Sequence, residues 1–382
     1  MDFTIFRFRG GILGKHVGAF AAGNGFAALL ALSISSASAV AATRTWDGGN
    51  NSDTWDTTND TKNNWDPNTI FNSGDSAIFA GTTRLTPTIG ASSLSVGSIT
   101  FNNTAGAFTI GGSATLTIGA GVTSGAVVTN SDDSVQTFSV STIALSGSQT
   151  WNAGSVAGGK LVFSGSTLSL GSNQTLTVDG ANNTDIGNAI VGTGTSGITK
   201  TGTGTLTLTG TNTNTYVGRT TVSGGTLLLG AADRIDNTSP MTLAGGTFAT
   251  GGHNETLGAL TLSANSIIDM GAAGASTLHF GASSGLFASG TTLSIYNWTA
   301  STDHVFFGSD SSSLTTDQLS QIHFFSGSNT GSLGAAKFGS AGEIVAVPEP
   351  STVAMAFGLA GLAGWRERRR TRAVRGAERR AF

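Results

Sequence analysis

Eight acidic residues lie between positions 90 and 300, and they are the first side chains to consider for catalysis. Glycoside cleavage needs carboxylates that converge on one face, often with a basic partner. Asp179, Asp185 and Arg219 could approach one another if the chain coils, but their spacing alone does not show it. Most of the acids lie beside Gly, Asn or Thr, a composition typical of turns. The eight are Asp132, Asp133, Asp179, Asp185, Asp233, Asp236, Glu255 and Asp269.

A serine nucleophile and a metal site are the other chemistries to test. Ser76 follows Gly74 and Asp75, yet none of the histidines has a triad motif around it. The aspartates of the segment 45–80 could offer oxygens to Ca²⁺, but their spacing matches neither an EF-hand nor the Gly-Gly-x-Gly-x-Asp repeat. Cysteine is absent, which excludes a cysteine nucleophile and cysteine-ligated zinc. We therefore predict no catalytic residue, no metal ligand and no cofactor. The residues weighed are His16, His253, His279, His304, His323, Asp47, Asp53, Asp56, Asp60 and Asp66.

The amino end has the layout of a secretory signal peptide. Basic residues precede a largely apolar stretch, residues 17–34, and small residues follow it. We predict a signal peptide over residues 1–42, with cleavage after Ala39 or Ala42. An uncleaved membrane anchor is the alternative, because the apolar stretch is long.

The carboxyl end has a similar arrangement in reverse. Residues 353–365 form an apolar run of thirteen residues, about 20 Å as a helix, whereas a bilayer core is about 30 Å thick. Basic residues follow this run, and the positive-inside rule predicts that they stay on the cytoplasmic side. They are Arg366, Arg368, Arg369 and Arg370, before a basic tail at 373–382. No aromatic residue interleaves with these arginines, so nucleic acid is not an expected partner.

The body between these ends repeats one short β pattern. Apolar-polar-apolar triplets such as Leu116–Ile118 and Leu206–Leu208 recur with Thr or Ser around them and Gly or Asn after them. This alternation predicts short strands, and a recurrence of about 20 residues predicts a solenoid. At about 20–25 residues per coil, we expect a dozen or more coils. An array of β-sandwiches is the alternative.

We divide the body into three parts. Residues 43–85, with Trp46, Trp55 and Trp65 among Asp and Asn, are predicted to cap the first coil, because an open end exposes apolar surface and unpaired strand edges. Residues 86–300 are the predicted solenoid. Residues 301–346 are predicted to end the β domain and to link it to the tail.

One segment of the solenoid resembles a known family. Residues 197–230 are similar to the autotransporter-associated β-strand repeat, whose pattern includes T-K-x-G-x-G-x-L-x-L-x-G, N-x-Y-x-G and T-x-V-x-x-G-x-L. The resemblance implies an all-β fold, a right-handed parallel β-helix of the kind found in surface-exposed passengers. Eleven positions match: Lys200, Gly202, Gly204, Leu206, Leu208, Gly210, Tyr216, Gly218, Val222, Gly225 and Leu227.

The tail resembles a second family. Pro348-Glu349-Pro350, the apolar run and the arginines, together residues 347–372, are similar to the PEP-CTERM sorting signal. The family implies a Gram-negative bacterium that makes extracellular polysaccharide, and processing near Pro-Glu-Pro by exosortase, a membrane protease-transpeptidase. In this interpretation 353–365 is a transmembrane helix that holds the motif at the membrane only until processing.

These patterns lead to one expectation for function. The chain is expected to be a non-enzymatic β-solenoid, secreted through the translocon, inserted transiently in the inner membrane and sorted to the cell surface, outer membrane or matrix. Its expected partners are exosortase, the translocon and a candidate exopolysaccharide. The alternatives are a carbohydrate-active β-helix enzyme, which needs three or more carboxylates in one groove, and a glycan-binding adhesin, which needs an exposed aromatic strip.

Overall fold

The structure is a computed structural model and describes residues 41–49, 52–55, 64–67, 70–122, 125–272 and 275–347. These residues form short strands and a single short helix. The strands are β1 Thr43–Trp46, β2 Trp65–Asp66, β3 Ser76–Phe79, β4 Thr88–Ile89, β5 Leu94–Val96, β6 Ile99–Phe101, β7 Thr109–Gly112, β8 Thr115–Ile118, β9 Ala126–Asn130, β10 Val135–Phe138, β11 Thr142–Leu145, β12 Gln149–Asn152, β13 Lys160–Phe163, β14 Thr167–Ser172, β15 Thr175–Asp179, β16 Thr184–Ile186, β17 Ala189–Thr193, β18 Gly197–Lys200, β19 Thr205–Leu208, β20 Thr220–Val222, β21 Thr226–Leu229, β22 Met241–Ala244, β23 Thr247–Ala249, β24 Glu255–Ala264, β25 Ser266–Asp269, β26 Thr277–Gly281, β27 Leu293–Tyr296 and β28 His304–Phe307. Helix α1 Thr316–Ser320 and strands β29 Ile322–Gly327, β30 Thr330–Phe338 and β31 Glu343–Val347 follow.

The strands stack in parallel ladders around a common core. Sheet 1 runs through β1, β3, β6, β9, β12, β15, β18, β20, β22 and the second part of β24. Sheet 2 runs from β7 through β10, β13, β16, β19, β21, β23, β25 and β27 to β29. Sheet 3 contains β5, β8, β11, β14 and β17. In the last turns, the first part of β24, β26 and β28 take the position that follows sheet 2. The fold is therefore an all-β parallel solenoid, as the triplets predicted.

The solenoid has about ten turns, fewer than the dozen or more expected. Sheet 1 contains ten strands, and the first two of them begin 33 residues apart, at Thr43 and Ser76, a longer turn than the 20–25 residues assumed. The chain after β29 does not coil further, because β29–β30, β30–β31 and β28–β31 pair antiparallel. Ten strands at about 4.8 Å spacing give a stack about 45 Å long.

Alternation explains which side chains form the core. In almost every strand, Leu, Ile, Val, Phe or Trp points inward and Thr, Ser or another polar residue points outward. Inward aromatic rings also align between turns, since Phe138 and Phe163 stack at 4.8 Å and Trp151 lies 4.1 Å from Phe163 between ring centroids. A continuous apolar column thus runs through the turns.

The first turn ends in an aromatic cluster rather than an open column. Trp65 is fully buried, and its ring lies between 4.7 and 5.7 Å from four other rings. Strand β2 pairs antiparallel with β1, placing Trp65 opposite Trp46. The cluster covers the amino end of the core. Its members are Trp46, Trp55, Trp65, Phe71 and Phe79.

At the other end, the three antiparallel strands and α1 form a C-terminal cap. Thr315 caps α1 through a capping box with Gln318, whose amide also donates to the Ser283 carbonyl at 2.9 Å. No helix among the described residues is long and apolar enough to span a membrane. The predicted signal peptide, apart from residues 41 and 42, and the predicted helix 353–365 lie outside the described residues, so both stay predictions.

Candidate functional site

The predicted sorting residues lie just beyond the last strand that the structure describes. Pro348, Glu349, Pro350 and the four arginines 366, 368, 369 and 370 are outside the described residues, as are 373–382. What is described is the chain that leads into the motif: β31 ends at Val347, which pairs with Ala335 of β30. The motif therefore follows the folded domain directly, although residues 301–346 were expected to include a linker.

The two predicted signal-cleavage residues differ in their relation to the fold. Ala39 lies outside the described residues, whereas Ala42 is hydrogen-bonded at the start of sheet 1. Its N–H donates to Asp75 Oδ1 at 2.8 Å, and its carbonyl accepts from the Ser76 N–H at 2.7 Å. Asp75 is also paired with Arg44 at 2.6 Å. Cleavage after Ala39 would leave the two Ala42 hydrogen bonds intact, and cleavage after Ala42 would remove them, whereas the Arg44–Asp75 pair would remain in both cases.

Asp179, Asp185 and Arg219, which were considered together for catalysis, do not all lie on one sheet. Asp179 lies on sheet 1 and accepts from Thr201 Oγ1 at 3.1 Å, while Asp185 lies on sheet 2 and pairs with Lys160 at 2.6 Å. The Arg219 guanidinium reaches along sheet 1 to Thr242 Oγ1, at 2.6 Å. Within the described ranges, no group of three or more His, Asp or Glu residues could hold a metal ion.

Among the described residues of the amino-terminal segment, Asp75 and Asp53 both have hydrogen-bond partners within the chain. Asp75 is buried, and hydrogen bonds from Ala42, Asn72 and Arg44 outweigh its burial, which keeps its pKa below the ordinary value. Hydrogen bonds from Thr86 and Arg84 likewise lower the pKa of Asp53, and they attach its loop to the first turn. These carboxylates hold loops in place through donors of the chain itself. Asp56 and Asp60 lie outside the described residues.

Two surface grooves flank sheet 1 and lack charged side chains. One has a volume of about 350 Å³ and the other about 220 Å³. Both are lined by Thr, Ser, amide, small and Val residues, so neither offers a general acid or base. The larger is lined by Thr129, Ser131, Asn152, Gly154, Ser155, Val156, Gly180 and Ala181. The smaller is lined by Val122, Gly125, Val127, Ser148, Gln149, Thr150, Thr175 and Thr177.

Outward aromatic residues occur near the C-terminal cap, but they stack on each other. The rings of His279 and Phe306 are stacked, with their centroids 4.2 Å apart and an angle of 4° between their planes. Tyr296 and Phe325 meet edge to face at 5.3 Å. Such cross-strand pairs stabilise a sheet. Because the His279 and Phe306 faces cover one another, this pair does not form the strip of open rings that a glycan-binding adhesin needs.

Residues 197–230, the segment similar to the autotransporter-associated β-strand repeat, contain several buried polar side chains. Lys200 is almost fully buried, and its Nζ donates to the carbonyl oxygens of Gly202 and Gly224. Burial lowers the pKa of Lys200 to about 8, an effect that the charge of Asp179 partly opposes. The Tyr216 hydroxyl is hydrogen-bonded to Thr220 Oγ1 at 3.0 Å, and burial raises its pKa. Both motif residues hold turns together.

Sequence reasoning missed a second set of buried polar residues, which begins in this segment and which we call the polar ladder: Asn214, Arg234 and Glu255. Asn214 and Arg234 occupy the position that follows sheet 2 in two turns that have no strand there, and Glu255 is the first residue of β24 in the next turn. Asn214 Oδ1 accepts from the Ile190 N–H at 2.7 Å, and Asn214 Nδ2 donates to the Arg234 carbonyl at 2.6 Å. The Arg234 N–H donates in turn to Glu255 Oε2 at 2.7 Å. Side chains thus replace the missing strand-to-strand hydrogen bonds, and the only sequence signal is Asn214 in N-x-Y-x-G.

Comparison with known families matches two segments of the chain. Residues 198–229 match the Passenger-associated-transport-repeat, and residues 346–370 match the PEP-CTERM protein-sorting motif. No curated protein and no solved structure matches the chain. The sorting motif implies an exported protein that exosortase processes. The chain is therefore a β-solenoid protein that carries a passenger-associated transport repeat and ends in a PEP-CTERM sorting motif.

Proposed function

We propose that this protein is a non-enzymatic solenoid that is exported, sorted through its tail, cut near Pro348-Glu349-Pro350 and retained at the cell surface or in the extracellular matrix. The observation that carries the proposal is the direct connection between a solenoid closed at both ends and the matched sorting motif. The signal peptide at 1–42 would direct the chain to the translocon. The run 353–365 would hold it in the inner membrane, with the arginines on the cytoplasmic side.

The distribution of charged side chains supports a non-enzymatic role. Asp179 and Asp185 lie on different sheets, and the two grooves beside sheet 1 contain only uncharged side chains. Threonine hydroxyls form the outward surface of sheet 1 over six consecutive strands. The register pairs Thr150, Thr177, Thr199, Thr221, Thr242 and Thr261 in order. This hydroxyl-bearing surface, on which the Arg219 guanidinium contacts Thr242 and Thr261, suits a protein embedded in hydrated polysaccharide.

The proposal is tested by replacing the motif. We expect P348A/E349A/P350A to remain in the membrane fraction at precursor size, whereas the unchanged protein loses its tail and leaves that fraction. Deleting the processing enzyme should have the same effect on the unchanged protein. If the variant and the unchanged protein reach the same fraction at the same size, with or without the enzyme, the proposed sorting is wrong.

A further inference from the structure

The C-terminal cap leaves no free chain between the fold and the sorting motif. Val347 pairs with Ala335, Ala346 with Ala336 and Val345 with Lys337, all in β30. Pro348 is the next residue. Three residues span at most about 11 Å when extended, so Pro350 stays within that distance of Val347.

Strand β31 is held firmly at its start and weakly at its end. Glu343 and Ile344 pair with β28, Ile344 is fully buried and also pairs with Phe338 of β30, and Glu343 Oε1 lies 2.6 Å from His304 Nδ1. We call residues 345–347 the terminal strap. The strap pairs with β30 alone, and its side chains are half-buried or exposed, with Val347 39% exposed. Local opening that starts at the carboxyl end should therefore separate residues 345–347 from β30 and stop at Ile344, because few buried contacts hold the strap itself.

A peptidase binds its substrate as an extended segment on both sides of the bond that it cuts, and it makes main-chain hydrogen bonds to that segment. A strand that is hydrogen-bonded to a neighbouring strand along one edge, as the strap is to β30, cannot lie inside such a cleft. Folded proteins are cut through locally opened states for the same reason. For a cut near residues 348–350, the segment on the amino side of the bond includes the strap.

We propose that the terminal strap must separate from β30 before the tail is cut, so that the C-terminal cap controls processing. This inference rests on the proposed function, since it concerns the same cleavage. Cells would thereby cut a chain whose strap is free faster than a chain whose strap is locked in the cap. The anchored residues Glu343 and Ile344 keep the rest of the cap folded while the strap is open.

A reversible staple tests this proposal, because the chain has no cysteine of its own. Lys337 and Val345 lie opposite one another with Lys337 exposed and Val345 half-buried, so K337C/V345C can link strap to β30 without removing a fully buried side chain. The full-length variant is produced in cells that contain the processing enzyme, and loss of the tail is followed by intact mass. The variant is compared with and without dithiothreitol, beside the unchanged protein under both conditions. F325C/S332C, which joins β29 to β30 in the same cap, is the matched control staple.

We expect oxidised K337C/V345C to be processed at least tenfold more slowly than its reduced form, and the control staple to have less than a twofold effect. Six Gly/Ser residues inserted between Val347 and Pro348 supply flexible chain, so they should restore the unchanged rate to the oxidised variant. Equal rates for the oxidised and reduced forms overturn the inference, and so does failure of the insertion to restore processing. If the unchanged protein is not cut at all, the proposed function is wrong and this inference falls with it. A cut that is indifferent to the staple rejects the inference alone.

Discussion

Glu255 makes the stability of the solenoid depend on pH near neutrality. Its side chain is 1% exposed, and its partners are the N–H groups of Arg234 and Ile235, while the Arg234 guanidinium is turned to the carbonyls of Gly210 and Asn212. Burial raises the pKa of Glu255 to about 7, and the nearby charge of Asp233 adds to the effect. The carboxyl group therefore stays protonated in the folded protein at pH values where the unfolded chain has lost the proton.

The size of the effect follows from proton linkage. Between pH 4.5, the ordinary value for Glu, and about 7, the folded state binds more protons than the unfolded state. The free energy of unfolding therefore falls as the pH rises through this window. Above about pH 7 the contribution of Glu255 no longer changes with pH. Each pH unit corresponds to about 1.4 kcal/mol, so the whole window is worth about 3 kcal/mol.

The matched control is E255Q, which is uncharged at every pH and keeps an oxygen that accepts from the Arg234 N–H. Urea denaturation followed by tryptophan fluorescence would be measured for both proteins from pH 4 to pH 8. We expect the free energy of unfolding of the unchanged protein to fall by about 3 kcal/mol relative to E255Q between pH 4.5 and pH 7.5. The difference between the two proteins cancels the titration of shared groups. A difference that is constant across this range would refute the assignment of the titration to Glu255.

Three further changes test the packing of the turns by the same denaturation assay or by thermal melting. K200M removes the ammonium that donates to the carbonyls of Gly202 and Gly224, so it should lower the free energy of unfolding by roughly 1–3 kcal/mol; an unchanged midpoint contradicts this role. G204A would place a Cβ 2.0 Å from the Asn182 carbonyl oxygen and should cost more than about 2 kcal/mol, whereas G147A, which meets nothing within 4 Å, should cost less than about 1 kcal/mol. Equal losses would show that crowding between turns is not the cause. W65A empties the centre of the amino-terminal aromatic cluster and should cost about 3–5 kcal/mol, and a loss below 1 kcal/mol would show that the cluster does not stabilise the first turn.

The fold was predictable because its signal is local. A triplet such as Leu206–Leu208 alternates with period two, and that alternation already determines which side chains point inward. The spacing of triplets then identifies turns that must stack, since a strand of three or four residues buries little by itself. The number of turns was less predictable, because the long first turn and the antiparallel pairing of β28–β31 depend on contacts that the spacing does not report.

The polar ladder was not predictable from the sequence for a physical reason. Asn214, Arg234 and Glu255 lie in Gly-, Asn- and Asp-containing segments that read as solvated turns. They are buried because turns above and below cover them, and they are tolerated because their hydrogen bonds to main-chain groups, most of them in a neighbouring turn, satisfy the buried polar atoms. The strap of β31 was missed similarly, since the Ser- and Gly-rich segment that pairs with it has little alternation.

The aromatic cluster at β1–β3 has a consequence for how the chain acquires its structure. Each new turn pairs with the turn before it, so one completed turn is a template for the next, and loop closure within one step involves only about 20–30 residues. The cluster completes the first template with residues that leave the cell before the rest of the body, if the chain is exported amino end first. Growth can then proceed in the direction of export, and the cap that adjoins the sorting motif is the last part to form.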